Sequence, residues 1–239
     1  MRPWLTTSRW PRLLGLSLLL AVAGAVVLFT TGHRYRVKKI FASAERSWEE
    51  GDYQRAVELY QAVIDEDPGD PLSVRAQFQV GSTYHLFLQR DREAVQAFRD
   101  LIKKNPAGPW SLRAQELLGE IFEKRFEDYR QAIVEYQRLI NLSGGGEEGD
   151  RALAGAANSH YVVRAFQSAI RYYRQVIEVS DDPKLRAEAG FGIASCLEEA
   201  GDLRGALAAF AKVRRDYPNP ELVEQRLDRL RKRLEKQEK

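Results

Sequence analysis

Five alanines, Ala56, Ala94, Ala132, Ala169 and Ala206, recur at intervals of 37 to 38 residues, and each is followed four residues later by Tyr60, Phe98, Tyr136, Tyr173 or Phe210. Four residues make about one turn of an α-helix, so each alanine shares a helix face with its aromatic. That face continues through Val63, Leu101, Leu139, Val176 and Val213. Ile64, Ile102, Ile140 and Ile177 follow directly, whereas the fifth copy has Arg214 and is expected to expose that face more. One helical hairpin cannot bury such a face alone, so the period dictates an all-α chain of stacked helix pairs.

Upstream of the alanines lies a second pattern of small beside large residues, which lets two helices approach closely while the gap is filled. It reads Val80-Gly81 with Tyr84 and Leu118-Gly119 with Phe122, then Ala156-Ala157 and Ile193-Ala194, with Ser43-Ala44 in copy one. Gly51-Asp52-Tyr53, Glu127-Asp128-Tyr129 and Gly201-Asp202-Leu203 are turn-like. In such turns Asp supplies a helix-capping oxygen and Gly accepts the left-handed backbone. Pro68, Pro106 and Pro218 should stop the second helix of a pair, and copy four runs on to Asp181-Asp182-Pro183. Ser143 to Asp150, "SGGGEEGD", is expected as a flexible polar surface loop, or alternatively as a hinge between three-repeat and two-repeat lobes.

The order small–aromatic, turn, A-x-x-x-[FY], then proline resembles the tetratricopeptide repeat (TPR) family, over about Val37 to Pro218. The resemblance implies a helical-hairpin solenoid of about five repeats, over residues 33–218, that binds proteins. The lengthened repeats resemble bacterial cell-envelope TPR proteins of the BamD and Tol-Pal-coordinator kind, and a preceding span resembles the YfgM-type inner-membrane proteins.

Leu13 to Gly32 carries no charged residue. About 20 helical residues span roughly 30 Å, the thickness of a bilayer core. The expectation is a basic tail at 1–12 and a transmembrane anchor at 13–32. Ala21-Val22-Ala23 also fits a cleaved signal peptide, although the apolar run continues to Phe29. No cysteine closes the run, which excludes a lipoprotein, and the only cysteine, Cys196, fits a small core residue. Arg2, Arg9 and Arg12 before the span nearly balance Arg34, Arg36, Lys38 and Lys39 after it, so charge asymmetry leaves the topology open. Residues 219–239 read as a basic capping helix with a stripe of Leu222, Leu227, Leu230 and Leu234, or alternatively as a basic docking surface.

A net charge of +3 is small for 239 residues and argues against nucleic-acid binding. His33, His85 and His160 are too scattered for a metal cluster, and Ser159-His160 cannot face each other on a helix. Gly144-Gly145-Gly146 lacks the Lys-Ser/Thr of a phosphate-binding loop. No catalytic, cofactor or metal site and no small-molecule substrate is expected, so the chain is read as a non-enzyme.

The resemblance places ligands in a concave groove lined by the first helix of each repeat. Its register puts Phe41, Glu45 and Trp48 there from copy one, and Phe78, Ser82 and His85 from copy two. Copy three adds Glu116, Glu120 and Glu123, copy four Asn158 and Tyr161, and copy five Phe191, Ser195 and Glu198. Phe41 and Glu45 stand where a carboxylate-binding Lys/Asn clamp would begin, so an extended basic and apolar protein segment suits this groove better. The expected function is a membrane-anchored scaffold with its repeats in the periplasm of a bacterial envelope. A cytoplasmic-facing adaptor and a regulatory subunit of an enzyme complex are the alternatives.

Overall fold

The computed structural model describes residues 31–106 and 108–237. Among them the chain is helical from end to end and has no strand. The pairs are α1 (31–49) with α2 (Tyr53–Glu66), α3 (Pro71–Leu86) with α4 (Asp91–Lys104), and α5 (Pro109–Lys124) with α6 (Tyr129–Ser143). They continue with α7 (Gly146–Val162) and α8 (Phe166–Val179), then α9 (Pro183–Glu199) and α10 (Leu203–Val213), and α11 (Pro220–Gln237) ends the chain. Two compact units divide at Gln79 and Val80, inside α3. The tail at 1–12 and nearly all of the expected span at 13–32 lie outside the described residues. No helix among the described residues is long and apolar enough to cross a membrane.

Local chemistry sets the helix ends. The turn inside each pair contains one residue with left-handed backbone: Gly51 (φ 80°), Gln89 (54°), Glu127 (53°), Arg164 (61°) and Gly201 (88°). The aspartate that follows in copies one, three and five caps the second helix. Asp52 accepts from the Arg55 N–H at 3.1 Å, Asp128 from Gln131 at 3.0 Å and Asp202 from Gly205 at 2.9 Å. Prolines also start helices, which the sequence reading missed: Pro71, Pro109, Pro183 and Pro220 open α3, α5, α9 and α11. The missing N–H costs nothing in a first turn, where no intrahelical acceptor exists.

The expected loop at Ser143 to Asp150 is mostly helix. α6 ends at Ser143 and α7 begins at Gly146, so only Gly144 and Gly145 connect them. Three successive glycines at φ 66°, 108° and 81° make this sharp reversal possible. Gly149 and Asp150, read as polar connector, are buried.

In the first unit Ala56, Tyr60 and Val63 of α2 and Val37, Phe41 and Ala44 of α1 are all buried. The Phe41 ring meets Tyr60 edge-on at 5.6 Å. In the second unit Phe98, Tyr136 and Tyr173 press against helix backbone where a glycine leaves room, whereas Phe210 clusters with Ala194. A Cβ at Gly81 would lie 2.5 Å from the Phe98 ring, and one at Gly119 would lie 2.5 Å from Tyr136. Carbon atoms prefer about 3.5–4.0 Å, so no side chain fits either place without displacing the ring. In copies four and five the notch moves. Gly155 and Gly192 stand one residue before the place of Gly81 and Gly119, and they face the aromatic of the preceding repeat. A Cβ at Gly155 would lie 2.5 Å from the Tyr136 Cζ, and one at Gly192 would overlap Tyr173. Tyr136 is therefore held between glycines of α5 and α7. The expected pairs Ala156-Ala157 and Ile193-Ala194 sit beside these contacts, and the alanines among them are fully buried.

α11 covers the last pair. Val223, Leu227 and Leu230 are fully buried against Ala194, Leu203, Ala206 and Phe210, so Val223 takes the place expected of Leu222. Arg226 and Arg233 reach Glu198 of α9 at 3.3 and 3.1 Å, and these two cations are structural ties within the cap.

Two outcomes follow for denaturant unfolding. Tyr136→Ala should lower stability by about 3–5 kcal/mol, and Gly155→Ala should cost about 1–3 kcal/mol through the steric conflict with the same ring. An unchanged midpoint for both would contradict the notch. Glu127→Gly, at a position that disfavours an L side chain, should raise stability by about 0.5–1 kcal/mol, and a lower melting temperature would contradict this.

Candidate protein-interaction face

α5, α7 and α9 pack side by side in the second unit. They supply most of the expected contact residues, and their side chains are largely engaged within the chain. Glu116, 3% exposed, holds Arg113 at 2.5 Å on its own helix and Arg151 of α7 at 2.5 Å. Arg151 also grips Glu147 at 2.5 Å. Glu123 accepts the Tyr136 hydroxyl at 2.6 Å. Glu120 is partly exposed and pairs with Lys124 of the same helix at 3.5 Å. Of the acidic stripe read from the sequence, Glu116 is buried, while Glu120 and Glu123 are partly exposed and Glu123 is held by Tyr136.

The remaining candidates divide similarly. Phe41 and Phe78 are core residues, at 7% and 8% exposure, so neither is presented to a ligand. Glu45 accepts the Tyr60 hydroxyl and pairs with Arg75 at 2.8 Å, and Arg75 lies 4.9 Å over the Phe41 ring. Trp48 is partly buried and packs edge-on to Tyr53 at 6.2 Å. His85 binds Asp91 at 2.6 Å, and Asp91 also takes Arg125 of α5 at 2.9 Å. Burial alone would raise the Asp91 carboxyl, but His85 and Arg125 hold it below its usual range. Asn158 is exposed and accepts the Tyr173 hydroxyl at 2.6 Å. Tyr161 is partly buried beside Phe166, and Phe191 stacks on Tyr217 at 4.4 Å. Ser195 and Glu198 are buried, and Ser82 is partly exposed.

Sequence reasoning missed Glu135, a fully buried carboxylate. It accepts from Gln115 at 2.7 Å and Gln131 at 2.6 Å, and it meets Arg138 at 2.8 Å and Arg99 at 3.8 Å. A glutamate is ordinarily solvated, so nothing in its local sequence marks it as buried. Buried carboxylates elsewhere are tied at repeat spacing: Glu116 and Arg151, like Glu198 and Arg233, are separated by 35 residues, about one repeat.

No group of His, Cys, Asp and Glu among the described residues could hold a metal ion. Burial pushes the Cys196 thiol up to about 11. At neutral pH it is a protonated core residue and not a nucleophile.

Two models of the tetratricopeptide repeat match the chain, one at residues 41–87 and 155–219 and the other at 75–107. The chain belongs to the tetratricopeptide repeat family. Among solved structures it is similar to MamA, with 18% identity, 75% of this chain and 91% of that chain covered, and a TM-score of 0.62. A tetratricopeptide repeat protein from Parabacteroides merdae shows 15% identity over 81% of this chain and 72% of its own, with a TM-score of 0.64. BtubC from P. vanneervenii shows 16% identity, 75% and 79% coverage, and a TM-score of 0.58. Identities this low establish a shared fold. No curated protein matches the chain.

The buried tyrosines predict an alkaline limit. Burial, and for Tyr60 and Tyr136 also the hydrogen-bonded carboxylates Glu45 and Glu123, raises the phenols of Tyr60, Tyr136 and Tyr173 well above the ordinary value. The fold holds the neutral phenol, while the unfolded chain ionises near about pH 10. Stability from these groups is therefore complete below about pH 10 and falls as pH rises beyond it. Phenolate absorbance should show these tyrosines ionising together with loss of helical circular dichroism. Titration of every tyrosine near pH 10 with helix retained would contradict this.

Proposed function

We propose that the chain is a membrane-anchored scaffold whose repeats bring protein partners together in a bacterial envelope. The observation that carries the scaffold reading is the series of TPR hairpins packed against one another in the second unit, where acidic side chains such as Glu116, Glu135 and Glu198 are spent on contacts within the chain. Tetratricopeptide repeat proteins generally mediate protein–protein interactions, and the first-helix face is their usual contact surface. Glu120, Asn158 and Tyr161 are three of the candidates on that face that remain at least partly exposed. Support for the anchor comes from the uncharged run at 13–32 in the sequence. The envelope setting, with repeats in the periplasm, rests on the resemblance to envelope proteins.

Affinity capture of the full-length protein, with Glu120→Lys in parallel, tests the interaction reading. Glu120→Lys should leave thermal unfolding nearly unchanged and weaken recovery of a partner by several-fold. Equal recovery by both proteins would remove this face from the binding surface. Placement is tested with Cys196→Ala carrying a single new cysteine, Glu148→Cys, at an exposed position of the first turn of α7. An impermeant maleimide should label it before the inner membrane is opened, and labelling only afterwards would overturn the periplasmic placement.

A further inference from the structure

Depressions of the same origin recur in the second unit, each between the second helices of adjacent repeats. Their filling depends on the residue three places after the recurrent alanine, which is Glu135 in α6, Tyr172 in α8 and Ala209 in α10. Glu135 reaches Arg99 of α4 at 3.8 Å and Gln115 of α5 at 2.7 Å, and the depression there measures about 460 Å³. Tyr172 crosses to α6, where its hydroxyl donates to Gln137, and about 250 Å³ remains. Ala209 cannot cross to α8. The space between α8, α9 and α10 opens to about 830 Å³.

This third cavity has an apolar floor of Ile177, Ala187, Ile193, Ala209 and Val213. Ile177 is 38% exposed, a large apolar side chain left facing water. The rim is cationic, with Lys184, Arg186 and Lys212 against the single carboxylate Asp216. Lys184 makes one long contact, 3.9 Å, to Glu188. Among the described residues, Arg186 and Lys212 are exposed and carry no ion pair. Volumes of roughly 300–1,000 Å³ suit the burial of several apolar groups with a few polar contacts.

We propose that this groove is a second docking site, separate from the first-helix face, for an amphipathic acidic segment of a protein partner. Apolar side chains of that segment would enter between α8 and α10, and its Asp or Glu residues would meet Lys212, Arg186 and Lys184. Charge selects the occupant, because an apolar floor inside a basic rim repels cationic segments and favours anionic ones. The chain's own apolar terminus has the wrong charge, since Arg2, Arg9 and Arg12 precede it with no carboxylate. The proposal rests on the scaffold reading above and names a different surface and partner chemistry.

The test uses full-length protein and two labelled synthetic peptides, followed by fluorescence anisotropy. One carries leucines at i, i+3, i+4 and i+7 with glutamates on the other face, and the second replaces each glutamate by lysine. The glutamate peptide should bind at least about tenfold more tightly than the lysine peptide and weaken as salt is raised. Ala209→Tyr, which copies the plug that Tyr172 provides in the preceding repeat, should reduce that binding at least about tenfold. Lys212→Glu, at an exposed position that does not disturb the core, should do the same and keeps the test open if Ala209→Tyr misfolds. Equal binding of both peptides, or wild-type affinity in Lys212→Glu, would overturn the proposal. Lys212-dependent binding to phosphatidylserine vesicles without peptide binding would reassign the rim to a lipid surface and overturn it too. A captured partner retained equally by wild type and Ala209→Tyr would leave the scaffold reading standing while removing this groove.

Discussion

The contact between an aromatic ring and a stretch of helix backbone without a Cβ sets the spacing of the second unit. Phe98 over Gly81, Tyr136 between Gly119 and Gly155, and Tyr173 against Gly192 let helices approach more closely than two full side chains would permit. Dispersion is short-ranged, so the ring contributes only while that separation is kept. The recurrent alanines, small and fully buried, allow the same approach from the second helix. The relocation of the notch in copies four and five changes its role, since there it joins one repeat to the next.

Polar ties between helices supplement this packing. Glu116 with Arg151, Asp91 with His85 and Arg125, and Glu198 with Arg226 and Arg233 each connect different helices. Buried carboxylates are costly unless partnered, and the arginines that partner them here stay partly open to water, which screens each pair. These acids therefore hold helices in place and are withdrawn from solvent. That explains why a face which looks strongly acidic in sequence presents so little negative charge.

The repeat was legible because its signal is periodic. Ala56 through Ala206 with their aromatics, and the aspartates Asp52, Asp128 and Asp202, announce helix pairs and caps without any structure. What escaped is what depends on distant neighbours. Gly155 and Gly192 break the register by one residue, and only the ring of the preceding repeat shows why. Gln89, Glu127 and Arg164 adopt the left-handed turn that Gly51 and Gly201 advertise, but nothing in their side chains reveals it. The connector after α6 looked long because its polar residues Glu147 and Glu148 form a helix's first turn, where negative charge is favourable. Candidate contact residues fared unevenly for the same reason: helical register identifies a face, whereas burial of Phe41, Phe78 or Glu116 is decided by what packs over it.

The closing helix has a consequence for assembly. A solenoid end with a bare apolar flank can accept the start of another molecule, and a head-to-tail contact of that kind propagates into filaments when it does not close on itself. Val223, Leu227 and Leu230 occupy that flank, and the cationic outer side of α11 faces water. α11 therefore closes the apolar flank of the last pair, and another hairpin could stack on that flank only by displacing it.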